Sequence, residues 1–213
     1  MKQAKAEILR EYGPFPGVQH VAGVTYDGEH VWFASGDKLN ALDPSSGKTV
    51  GAIDVAAHAG TAFDGRYLFQ LSGDRIQKID PDTGRVLATI PAPAGGGSGL
   101  AWAEGALWMG QYRNRKIHQI DPRTGAVLRT IESNRFVTGV TWVDGELWHA
   151  TSEADESDLR RIDPQTGEVL EKLDMPPGTS VSGLESDGGD RFFCGGEASG
   201  KVRAVRRPKQ RTA

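Results

Sequence analysis

The sequence predicts an all-β fold, a five-bladed β-propeller of four-stranded antiparallel blades whose ring is closed by the N-terminal strand. Three observations predict it. Leading glycines recur at Gly23, Gly60, Gly99, Gly139 and Gly183, spaced 37, 39, 40 and 44 apart. Asp-Pro pairs keep step with them, beginning at Asp43, Asp80, Asp121 and Asp163. An aromatic follows nine or ten residues after each glycine, at Trp32, Phe69, Trp108, Trp148 and Phe193. Each period holds four short segments rich in β-branched and aromatic residues with turn residues between them, which is the content of one blade. A β-sandwich is the competing architecture, and its strands do not repeat in sequence.

The turns come first. Asp27-Gly28, Asp64-Gly65 and Asp144-Gly145 suit tight hairpins, because glycine takes positive φ without a steric penalty. Asp43-Pro44-Ser45-Ser46-Gly47 and its copies at Asp80, Asp121 and Asp163 suit a type I turn closed by glycine. Proline presets φ there, and Asp and Thr bond nearby amides. Those aspartates could also be read as calcium ligands, but no loop of several oxygen ligands surrounds them, and the turn accounts for them.

The fifth unit is short. After Gly200-Lys201-Val202-Arg203-Ala204-Val205 the chain has no Asp-Pro turn and no fourth strand. A matching segment stands at the other end: Ala6-Glu7-Ile8-Leu9-Arg10-Glu11-Tyr12 parallels Gly167-Glu168-Val169-Leu170-Glu171-Lys172-Leu173. The expected organisation is one domain over 1–213, with 1–13 giving the outer strand of the last blade and blades starting near 17, 56, 95, 135 and 179. The alternative at the N-terminus is a helix, since Glu-Ile-Leu-Arg-Glu has helical propensity.

Composition narrows the function classes. The net charge is −3 and the pI about 6.0, which gives no global attraction to nucleic acid or an anionic membrane. Cys194 is the only cysteine, so an intrachain disulfide and a cysteine zinc cage are excluded. No N-terminal apolar run reads as a signal peptide, and no stretch reaches the roughly 18 apolar residues of a membrane span. The expectation is a cytoplasmic monomer with neither a nucleic-acid nor a membrane partner. The basic tail Arg206-Arg207-Pro208-Lys209-Gln210-Arg211 reads as a frayed, solvated end. Glycine is abundant, 28 of 213 residues, roughly double the usual ~7%, and much of the excess sits in the repeat.

Antiparallel geometry sorts the loops into two faces. With strands a to d counted outward from the axis, the a–b and c–d turns share one face and are nearly identical in every blade. The b–c loops and blade-to-blade links share the other and differ in every blade, so specificity should live there. That face carries His20, His58, Gly95-Gly96-Gly97-Ser98, Tyr112, Arg113, Arg115, Arg135, Glu153 and Glu197. The position after the aromatic marker is filled by Phe33, Gln70, Met109, His149 and Cys194. The glycine run lacks the Lys-Ser/Thr and helix of a phosphate loop and reads as a link. Arg113 and Arg115 are expected to pair with the acidic loop Glu153–Asp158 of the next blade. His20, His58 and His149 would be the candidates if a divalent metal were bound, although no close His spacing supports one.

Two families resemble this pattern. The unit Gly99-Leu100-Ala101-Trp102, Gly105-Ala106-Leu107-Trp108, Ile120-Asp121-Pro122-Arg123-Thr124-Gly125 resembles a blade of the streptogramin B lyase-like propellers, which have seven blades and a metal held by His and Glu side chains. The run Phe136-Val137-Thr138-Gly139, Gly145-Glu146-Leu147-Trp148-His149-Ala150-Thr151, Leu159-Arg160-Arg161-Ile162-Asp163 is similar to a signature of the five-bladed plant and bacterial glutaminyl cyclases. The last blade, Gly183-Leu184 through Arg191-Phe192-Phe193-Cys194-Gly195-Gly196, is similar to their final blade. The resemblance places an active-site Glu where this chain has His149, and a Lys in the final blade where it has Glu197. The fold follows from the likeness; cyclase activity does not. The chain also reads as shorter than those cyclases.

The functional expectation is a small-molecule or peptide site at one end of the central channel, with His149 as general acid or base and Glu197 or Glu153 orienting it or holding a metal. Glu197 is preferred because it approaches the same channel mouth from the neighbouring blade. Gln70, His20, His58, Tyr112, Arg113, Arg135 and Glu153 are the candidate binding residues. If the site is enzymatic, the class is an elimination or cyclisation. A non-catalytic protein-interaction propeller is the alternative.

Overall fold

The computed structural model describes residues 1–209. Its strands are β1 (Lys2–Lys5), β2 (Ile8–Tyr12), then β3 (Val24–Tyr26), β4 (Val31–Ser35), β5 (Lys38–Asp43) and β6 (Lys48–Asp54) in blade 1. Blade 2 holds β7 (Thr61–Phe63), β8 (Leu68–Ser72), β9 (Arg75–Ile79) and β10 (Val86–Pro91). Blade 3 holds β11 (Leu100–Ala103), β12 (Ala106–Gln111), β13 (Lys116–Ile120) and β14 (Val127–Glu132). Blade 4 holds β15 (Val137–Val143), β16 (Glu146–Glu153), β17 (Glu156–Ile162) and β18 (Val169–Asp174). Blade 5 takes β19 (Gly183–Ser186), β20 (Arg191–Gly195) and β21 (Val202–Arg206), and β2 completes it by pairing antiparallel with β21, Tyr12 opposite Val202. The five-bladed ring is therefore closed by the N-terminal strand, as the repeat predicts, and the helical alternative is not adopted. Among the described residues no helix is long and apolar enough to cross a membrane.

The c–d turns behave as their sequences dictate. Each closing glycine donates its amide to the Asp carbonyl at 2.8 to 2.9 Å, with φ between 70° and 79°. The Asp43, Asp121 and Asp163 carboxylates accept amides or hydroxyls of their own turns, and these bonds hold all three below the usual carboxylate range. The turn amides bond Oδ1 of Asp121 and Asp163, and Asp43 accepts at both oxygens.

The core is split into five wedges, one at each blade interface, and the aromatic marker fills each wedge. Trp32 packs between blades 1 and 2, Phe69 between 2 and 3, Trp108 between 3 and 4, Trp148 between 4 and 5, and Phe193 between 5 and 1. The last four meet an aromatic of the next blade, Trp102, Trp142, Phe192 and Tyr26, with centroids 5.0 to 5.6 Å apart. Each fully buried ring contributes roughly 2–3 kcal/mol from removal of apolar surface from water.

The leading glycines form a closed ring around the axis. A Cβ on Gly23 would lie 2.8 Å from the Gly60 Cα, and one on Gly60 2.8 Å from the Gly99 Cα. On Gly99 it would lie 2.7 Å from the Gly139 Cα, on Gly139 2.6 Å from the Gly183 carbonyl carbon, and on Gly183 2.9 Å from the Gly23 Cα. Five innermost strands converge so closely that backbone meets backbone, and no side chain fits. The repeat marks a constriction.

Two features depart from the sequence reading. Strand β1 adds a fifth, parallel strand to blade 4, with Lys2 opposite Glu171 and Lys5 opposite Asp174. The Lys2 ammonium lies 2.7 Å from Glu171, and Gln3 donates to Asp174 at 2.6 Å. The corresponding residues of blade 3's outer strand are Arg129 and Glu132, so the basic strand finds its acid pair on blade 4 alone. The basic tail is also not wholly solvated. Arg207 is 4% exposed and pairs with Asp144 at 2.7 Å and Glu146 at 3.4 Å. An acidic a–b turn on blade 4 draws it in, which the tail's own sequence does not show. Gln210 and Arg211 lie outside the described residues.

Candidate functional site

Directly above the glycine ring, on the face of the links and b–c loops, lies a cavity of about 270 Å³. Its floor is the residue preceding each ring glycine: Ala22, Ala59, Ser98, Thr138 and Ser182. His20, His58, Tyr112, Ser152 and Glu197 stand among its walls. The ring closes it from below, so it is a bowl. Small floor residues follow from geometry, because strands this near the axis leave little room for longer side chains.

The floor hydroxyls tie blade to blade. Ser98 Oγ donates to the Val137 carbonyl at 2.6 Å, and Ser182 Oγ donates to the Val21 carbonyl. Thr138 is 7% exposed and its hydroxyl has no protein partner.

Glu197 stands out among the wall residues. Its backbone is in the left-handed region, φ 51°, which a side chain adopts at a cost of order 1 kcal/mol. The surroundings enforce it. The Glu197 amide donates to Ser182 Oγ at 3.1 Å, and its carbonyl accepts from the Val21 and Gly200 amides at 3.0 and 3.1 Å. Its exposed carboxylate makes no ion pair among the described residues, whereas Glu153 on the neighbouring blade is taken by Arg115.

Tyr112 is 40% exposed and stacks on Phe136, ring centroids 4.6 Å apart. Phe136 is capped by the Arg115 guanidinium at 4.4 Å, and Arg115 is bonded to Glu153 at 2.7 Å. This stack fixes the tyrosine at the rim. His58 uses Nδ1 on Ser72 Oγ at 2.8 Å, and its other nitrogen lies 3.9 Å from Asp37.

His20, His58, Tyr112 and Glu197 thus gather at one bowl. The other candidates lie elsewhere. His149 is 1% exposed, flanked on its side of β16 by Leu147 and Val140 of the wedge between blades 3 and 4. Burial, reinforced by the Arg160 guanidinium, pushes its pKa down to about 4. It does not face the mouth with Glu197, because residues two apart share a side and the marker Trp148 claims the opposite one. Gln70 is fully buried and donates to the Ala59, Gly60 and Leu71 carbonyls. Arg135 lies among Glu153, Glu156 and Asp158 at 3.6 to 4.0 Å, and Glu153 is taken by Arg115 and Arg135. The pairing of Arg115 with the acidic loop is as expected, whereas Arg113 is exposed and outside the bowl. Among the described residues no three His, Cys, Asp or Glu side chains are placed to hold a metal ion.

The floor hydroxyls went unread in the sequence. Their signal is positional, since each immediately precedes a leading glycine. Glu185, two residues after Gly183, was also unread; the other copies carry Thr25, Ala62, Ala101 and Thr141 there, so one ionisable side chain stands among small ones.

A family model described as a domain of unknown function, DUF5074, matches residues 30–185. A search of curated proteins found no match. Among solved structures, the glutaminyl cyclase of Myxococcus xanthus is similar with a TM-score of 0.79 at 20% identity, over 96% of this chain and 97% of that one. The two are therefore close in length, which corrects the expectation of a shorter chain. A chain of Kuenenia stuttgartiensis hydrazine synthase is similar with a TM-score of 0.51 at 19% identity, over 84% of this chain and 56% of that one. At such identities the likeness is one of fold.

Proposed function

The chain belongs to the DUF5074 family, and on that premise we propose that it binds a small molecule or the end of a peptide in the bowl, with Glu197 as the charged anchor. The observation that carries this reading is the unpaired carboxylate of Glu197, held by a strained but fully bonded backbone at the wall of a closed-bottomed cavity. A left-handed backbone recurs in the b–c loops, at Gly36, Gly73, Arg115 and Ala154, so the turn itself sets Glu197 at the wall. A carboxylate left without a partner favours a ligand with a protonated amine, and the fixed ring of Tyr112 offers it a second, π-type contact. The cavity is at the small end of the range for ligand sites, which suits a metabolite or one terminal residue.

A lyase- or cyclase-type reaction in this bowl would have to move protons through Glu197, His20 or His58, since His149 is sealed in a core wedge. Binding alone requires only the anchor, the floor and the aromatic wall.

The test is a protein-observed NMR titration with size-matched small amines and carboxylates, on the natural chain and on Glu197→Gln. Amines should shift bowl resonances, and the substitution should weaken them at least tenfold. Equal response to carboxylates, or amine binding indifferent to the substitution, overturns the reading.

A further inference from the structure

Below the glycine ring the axis carries a carboxyl group that the bowl does not use. Glu185 lies on β19, and its neighbours at the same level are Thr25, Ala62, Ala101 and Thr141. Its Oε2 accepts from the Thr25 hydroxyl of blade 1 at 2.9 Å. Its Oε1 accepts from the Thr141 hydroxyl of blade 4 at 2.5 Å and from the Ser186 amide at 2.8 Å. One carboxyl thus joins three blades.

No cation offsets it among the described residues. Strand β15 presents no charged side chain, and β3 presents only Tyr26, whose ring packs on Phe193. Strand β20 carries Arg191, bonded to Asp187 at 2.8 Å, and the buried Cys194. On β16, Glu146 is engaged by Arg161 and Arg207, Glu153 by Arg115, and His149 faces the other interface. Desolvation without a counter-ion outweighs the three donors and pushes the Glu185 pKa up to about 7.

We propose that Glu185 is a proton-operated clasp between blades 4, 5 and 1, and that its state is transmitted to the backbone holding Glu197. The atoms define the switch. Ionised, the carboxylate accepts from Thr25, Thr141 and Ser186. On taking a proton it must donate, and Oε2 is the oxygen free to carry it, because Oε1 already faces an amide that can only donate. The Glu185–Thr25 bond then reverses direction, and the Thr25 hydroxyl proton must turn away.

That bond lies on the seam between blades 5 and 1. Three residues earlier on the same chain, Ser182 donates across the seam to the Val21 carbonyl and accepts from the Glu197 amide, and Val21 donates back to Glu197. A change at Thr25 therefore bears on the seam that fixes the bowl's anchor. This inference needs no ligand in the bowl and stands apart from the binding reading.

The experiment is NMR of the full chain from pH 5 to 9, following side-chain carboxyl carbons and backbone amides, in the natural protein and in Glu185→Gln. The Glu185 carboxyl should titrate with a midpoint near 7, and the Val21 and Glu197 amides should move with the same midpoint. In Glu185→Gln that component should vanish, while responses that do not arise from Glu185 are common to both proteins. A midpoint below 5, or amide curves unchanged by the substitution, overturns the clasp. Should Glu185→Gln fail to fold, Thr141→Val removes a donor from the oxygen that stays unprotonated and should raise the midpoint further; an unmoved midpoint is equally fatal.

Discussion

Arg207 and Asp144 form an ion pair of 2.7 Å that fastens the end of the chain to the a–b turn of blade 4. The pair continues inward. Arg207 also reaches Glu146, Glu146 meets Arg161 at 3.1 Å, Arg161 meets Glu171 at 3.5 Å, and Glu171 meets Lys2 at 2.7 Å. Both ends of the chain, which complete or leave blade 5, are thereby tied to blade 4. Because Arg207 is almost fully buried, Arg207→Ala should destabilise the fold by roughly 1–3 kcal/mol. For a domain of this size that is a melting shift of several degrees. Chain terminated after Arg207 should melt as the natural protein does; a loss as large as that of Arg207→Ala would place the latch beyond Arg207.

Deleting residues 1–13 should cause gross instability or aggregation, since it strips blade 5 of β2 and bares the edge of β21. Deleting 1–5 removes only the added strand β1 and should cost far less. Thermal melts of the two truncations separate ring closure from the outer strap, and similar melting of both would refute the distinction.

Gly99→Ala should be among the most damaging single changes, at least about 3 kcal/mol, because the new methyl would collide with backbone that cannot yield without opening the ring. Gly51→Ala is the control. Nothing lies within 4 Å of its added Cβ on β6, and it should be neutral or stabilising by up to roughly 1 kcal/mol. Denaturant midpoints decide between them.

The buried His149 sets an acid-sensitive window. Its folded pKa of about 4 lies below the unfolded value near 6.5, so its contribution is present above pH 6.5 and is lost as pH falls towards 4. The full loss is about 3 kcal/mol. Glu185 acts with the opposite sign, its contribution being complete below pH 4.5 and lost as pH rises through about 7. Melting curves of His149→Gln between pH 7 and 4.5 should fall less steeply than those of the natural chain. Parallel curves would show that the imidazole is not held neutral.

Incubated with an N-terminal glutaminyl peptide, the protein should not raise the rate of cyclisation above the uncatalysed one. The wall of this bowl carries the Glu197 carboxylate where the resemblance to the cyclases implies a Lys ammonium, so the local charge is reversed. A clear rate increase lost in Glu197→Gln would prove the reverse.

The sequence by itself determined the blade count, the turns and the ring closure, because each depends on local chemistry repeated at one period. Gly99, Trp108 and Asp121 read correctly in any copy, since the wedge, the ring and the turn impose the same demand five times. It also sorted the loops by face, which brought His20, His58, Tyr112 and Glu197 to one bowl. Only the tertiary structure decided which side of a strand each residue takes. Trp148 is a repeat marker, but nothing in the repeat says where the residue after it points; the packing of Trp148 against Phe192 sends His149 to the opposite side of β16. The same holds for Glu185 and Arg207. A single carboxyl becomes an axial clasp only when two threonines about 44 and 160 residues away converge on it, and a basic tail becomes a latch only when an acidic turn lies beneath it, because electrostatics act through space and not along the chain.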